Sequence, residues 1–67
     1  MNATVPQRRV KAADGIHLGY MAEVDYAPHR AVFRRNGVSA LYERSGSPVE
    51  HGGVWYHFYT EVEVIDQ

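Results

Sequence analysis

The chain divides into runs in which apolar and polar residues alternate, separated by turn-forming pairs. From Ile16 to Tyr26, the positions Ile16, Leu18, Tyr20, Ala22, Val24 and Tyr26 are apolar or aromatic. His17, Gly19, Met21, Glu23 and Asp25 lie between them. A period of two over that length predicts a strand with one buried face. A helix would place its apolar residues three and four apart. Val54 to Ile65 predicts a second long strand. Its even positions, from Val54, Tyr56 and Phe58 to Val64, make the expected core face. Trp55, His57, Tyr59, Glu61, Glu63 and Ile65 make the outer face, aromatic at its start and acidic further on.

Between these runs the pair Asn36-Gly37 predicts a two-residue type I′ hairpin turn, because both central residues of that turn need positive φ. The turn sets Arg35 opposite Val38, Phe33 opposite Ala40 and Ala31 opposite Tyr42. On the other face it sets Val32 opposite Leu41 and Arg30 opposite Glu43. Opposite charges facing across a ladder are favourable, so the register is self-consistent. A short helical turn over Ser39 to Ser45, stopped by Gly46, is the competing reading.

The segment Gln7 to Ala13 predicts a weaker first strand, turned by Asp14-Gly15 into the Ile16 run. Its Arg8, Arg9 and Lys11 match Glu61 and Glu63 of the last strand. Pairing with both neighbours would close the sheet and remove its edges. The expected fold is all-β: a small five-stranded antiparallel barrel or strongly bent sheet, SH3-like or OB-like in shape. An open antiparallel meander is the alternative.

With 67 residues the chain makes one domain, residues 1–67, with residues 1–6 expected as a flexible N-terminus. A chain this short buries only roughly 60% of its unfolded surface, so its stability margin is thin. It has no cysteine, which excludes disulfides, thiolate metal sites and a cysteine nucleophile. A compact core, an oligomer or a partner must supply the extra stability. The formal net charge of −1 lacks the basic excess of a general nucleic-acid binder. No apolar run approaches the ~18 residues of a membrane span, and the N-terminus does not read as a signal peptide. The expected compartment is the cytoplasm.

Three features are candidates for function. Trp55, His57 and Tyr59, two apart on one strand face, would make a flat ring platform for nucleobases or for a protein. Arg30, Arg34 and Arg35 cluster around the hairpin, and six of the seven basic residues are arginine, whose planar fork suits carboxylates, phosphates and rings. The stretch from Gly46 to Gly53 holds Glu50-His51 as a possible acid–base pair near Ser45 and Ser47. No orienting third group accompanies it, as nucleophilic chemistry requires. His17, His29, His51 and His57 show no metal-site spacing.

The sequence therefore points to a non-enzymatic binding module that docks onto a larger protein or onto itself, with no cofactor or metal. Small cysteine-free domains of this kind suit regulatory or inhibitory roles, phage-type host targeting among them. A nucleic-acid-binding barrel and a small oligomeric enzyme with an inter-subunit site are the alternatives.

Overall fold

The computed structural model describes residues 7–66. The segment 1–6, expected to be flexible, lies outside the described residues. Six strands form one sheet: β1 (Gln7–Ala12), β2 (Met21–Val24), β3 (Arg30–Arg35), β4 (Val38–Arg44), β5 (Val49–His51) and β6 (Val54–Asp66). Their order is β2-β1-β6-β4-β3, with β5 also pairing β6. The sheet curls into a half-barrel around its core. The all-β, barrel-like expectation holds, and no helix lies among the described residues, so none is long and apolar enough to cross a membrane.

β6 is the spine. Thirteen extended residues span about 43 Å, close to the longest dimension of 46 Å. β1 pairs with its first half on one side. β5 and then β4 pair with it on the other. The β1–β6 pair is parallel, which corrects the wholly antiparallel expectation. Parallel neighbours need a long crossover, and here β2 to β5 all lie within it.

The Asn36-Gly37 hairpin forms as the sequence predicts. Asn36 has φ 54° and Gly37 has φ 79°. The five cross-strand pairs named above all occur. β4 is extended throughout, so the short helical turn is not present.

The Ile16 run is corrected. Only Met21 to Val24 is strand. Gly15 and Gly19 have φ of 79° and 88°, conformations that leave the extended region. Between them the chain turns tightly, with Leu18 N–H donating to the Gly15 carbonyl at 3.1 Å and Tyr20 N–H to the His17 carbonyl at 2.8 Å. Ile16, Leu18 and Tyr26 are exposed rather than core, whereas Tyr20, Ala22 and Val24 pack on the core as the alternation implied. The stretch from Gly46 to Gly53 contains β5, joined to β6 through Gly52-Gly53.

The core is built around Tyr42 and Tyr59, the largest fully buried side chains, with Val10, Ala12, Ala27, Phe33 and Ala40. Phe33 stacks on Tyr42 at 4.7 Å and meets Tyr59 edge-on at 5.4 Å. The two phenols also fasten the irregular segments. Tyr42 Oη donates to the Asp14 carbonyl at 2.9 Å and accepts from His17 N–H at 3.0 Å. Tyr59 Oη donates to the Pro28 carbonyl at 2.6 Å. Burial raises both phenol pKa values above the ordinary range, so both remain donors.

Candidate functional site

The fold separates the six side chains expected to form one binding surface. Trp55, His57 and Tyr59 lie on the concave side of β6. Tyr59 is fully buried, His57 is 6% exposed and Trp55 is half-buried. The outward ring platform is thus corrected. Its cause is the register with β1, where Val10 faces His57 and Ala12 faces Tyr59. On β1 the inward face takes Val10 and Ala12 with one cation, Arg8, at its end, whereas the other face would turn both Arg9 and Lys11 inward at greater cost. The β6 partners of Val10 and Ala12 follow them.

Further along β6 the alternation reverses. Tyr42 pairs Glu61 and Leu41 pairs Glu63, which leaves Val62 as an extra residue. Such a bulge shifts the side chains that follow to the opposite face, here as far as a second irregularity at Ile65. Val64 therefore returns to the core with the opposite parity to Tyr59.

The three hairpin arginines do not make one patch. Arg30 Nε donates to Glu43 Oε2 at 3.1 Å, and His29 approaches the same carboxylate at 3.4 Å. Arg34 donates to Ser39 Oγ at 3.2 Å. Arg35 stands next to the turn, opposite Val38, on the face shared with Phe33. Adjacent strand residues point to opposite faces, so Glu50 and His51, both in β5, diverge. Glu50 Oε2 instead accepts from Gly53 N–H at 2.7 Å.

Two arrangements missed by sequence reasoning take their place. On the concave side, Arg8 lies opposite Trp55 and Arg44 opposite Tyr59, so the two guanidinium side chains bracket His57 from strands on either side of β6. Arg8 Nη1 lies 3.2 Å from His57 Nε2 and must be the donor, which makes Nε2 the bare nitrogen. The proton of the neutral ring then sits on Nδ1, which is buried without a partner. Burial first, then Arg8 and Arg44, hold the His57 pKa below its ordinary value.

On the convex side, the residues expected inside lie outside. Val54, Tyr56 and Phe58 are half-buried on the outer face of β6. Val49 of β5 sits directly opposite Tyr56. Arg9 faces Tyr56, and Lys11 bridges Phe58 and Met21 across β1. Val49 is 52% exposed and Met21 43%. A shallow depression lined by Arg9, Met21, Ala22 and Glu23 borders the band. No second layer covers it among the described residues.

No protein-family model, curated protein or solved structure matches the chain. Among the described residues no group of three His, Cys, Asp or Glu side chains is arranged to hold a metal ion.

Proposed function

We propose that this chain is a non-enzymatic binding module that docks onto a larger protein through the convex face of its sheet, with Tyr56 and Phe58 as anchors. The carrying observation is the uncovered band Val49–Tyr56–Phe58–Met21. A sheet normally buries one apolar face and keeps the other polar. Here the inner face packs the core and the outer face is also apolar at its centre. Aromatic residues, Met and Arg are the types enriched where proteins meet. Arg9 and Lys11 beside the rings favour an acidic rim on the partner.

Curvature favours a larger partner over a second copy. Two convex faces touch over a small area, whereas a standard interface covers roughly 800 Å² on each side. A groove in a larger protein can follow the curve. Binding of this type suits a regulatory or inhibitory role toward that partner.

The test compares immobilised wild type with the Tyr56→Ser/Phe58→Ser variant in capture from a lysate of the native host. The reading predicts a specific protein retained by wild type and lost from the double variant, with thermal unfolding little changed. Equal capture by both would remove the convex face from consideration. The placement of Arg9 and Lys11 beside two rings also favours a second reading, single-stranded nucleic acid stacked on Tyr56 and Phe58. Its mark would be oligonucleotide binding that falls steeply with salt.

A further inference from the structure

The concave face carries a separate arrangement that docking on the convex face does not use. Arg8, from β1, and Arg44, from β4, both point to the side of β6 that holds Trp55, His57 and Tyr59. The ion pairs among the described residues involve His29 and Arg30 only, both with Glu43. Among the described residues neither Arg8 nor Arg44 has a carboxylate within reach. Glu50, on the row of Trp55, has its carboxylate turned into its own hairpin.

What these guanidinium groups hold instead are weak acceptors. Arg8 donates to a neutral imidazole nitrogen. Arg44 Nη1 donates to the Ala27 carbonyl at 2.6 Å. Each guanidinium has five N–H donors, so most remain uncommitted in these contacts. His57, between them, is buried with Nδ1 unpartnered. In a chain of net charge −1, two cations with no carboxylate partner among the described residues thus flank one buried ring. Such a spot attracts anions.

We propose that the concave face between Arg8 and Arg44 is a binding site for a phosphate group, bordered by the ring of Trp55. Two forks approaching from different strands offer more donors than one carboxylate accepts. A tetrahedral oxyanion, with its additional oxygens, uses them better. Arg8 would exchange its imidazole contact for a charged acceptor.

Trp55 is the single tryptophan, so its emission reports on this site without ambiguity. The experiment titrates inorganic phosphate, with acetate as the comparison, at constant ionic strength, and follows Trp55 emission and the His57 ring resonances. The variants are Arg8→Gln and Arg44→Lys. The lysine keeps a donor for the Ala27 carbonyl, and circular dichroism of each variant checks the fold. The expected result is saturable phosphate binding that weakens about tenfold or more in each variant, the scale of a lost charged hydrogen bond. Acetate should bind distinctly less well. A non-saturating response, equal affinity in folded variants, or acetate binding as tightly as phosphate would overturn the proposal.

Discussion

Tyr59→Ala is expected to leave the chain largely unfolded at room temperature. Tyr59 has no exposed surface, and its ring closes the core against Phe33. Truncating a buried aromatic side chain to alanine costs about 3–5 kcal/mol. A domain of this length has only about 3–10 kcal/mol in total. The same change removes the hydroxyl that holds the Pro28 carbonyl, so the segment between β2 and β3 loses its tie to the sheet. Tyr59→Phe keeps the ring and loses only that bond, at a cost of about 1–3 kcal/mol for the buried carbonyl left behind. Circular dichroism and urea midpoints separate the two variants. A Tyr59→Ala protein with the wild-type midpoint would contradict the placement of this ring.

Gly15→Ala carries the second large effect. A Cβ there would lie 2.5 Å from Glu61 Oε1, 2.6 Å from Glu61 Cβ and 2.8 Å from Tyr42 Oη. Glu61 cannot retreat freely, because its carboxylate accepts Ile16 N–H at 2.7 Å and its own N–H donates to Asp14 Oδ1 at 2.8 Å. Tyr42 is held on both sides of its hydroxyl. Positive φ adds about 1–2 kcal/mol for a residue with a Cβ, and forced repacking about 1–3 kcal/mol. Gly46→Ala is the control. Its φ is also positive, 72°, but nothing lies within 4 Å of the added carbon. The urea midpoint should fall much further for Gly15→Ala than for Gly46→Ala. Equal losses would mean that crowding against Glu61 and Tyr42 plays no part.

The features legible in the sequence were those set by local chemistry. Asn36-Gly37 fixes its own backbone geometry, and the register of β3 on β4 follows from it. The period of two in Tyr20, Ala22 and Val24 also gave the right face. It failed at Ile16 and Leu18, because the flanking glycines enter positive φ and the alternation there belongs to a turn.

On β6 the two faces are ambiguous for a different reason. Val54, Tyr56 and Phe58 are as apolar as Trp55, His57 and Tyr59, so alternation alone cannot choose the inner set. The choice is made by β1, through a parallel register between strands more than forty residues apart. No local signal encodes that pairing. The bulge at Val62, which lets both Tyr59 and Val64 reach the core, is likewise a product of the ladder with β4. Nothing local marks Arg8 and Arg44 as a pair, because they lie far apart along the chain and flank His57 only through the strands on either side of β6.

Which rings of β6 face outward decides where a partner can dock. Nitration by tetranitromethane, mapped by mass spectrometry, reads this directly, since the five tyrosines sample both sides. Tyr26, 74% exposed, is the internal standard. The fold predicts early modification of Tyr26, slower modification of half-buried Tyr56, and protection of Tyr42 and Tyr59 until the protein unfolds. Tyr59 nitrated ahead of Tyr56 in the folded protein would contradict it, and would return the exposed platform to Trp55, His57 and Tyr59.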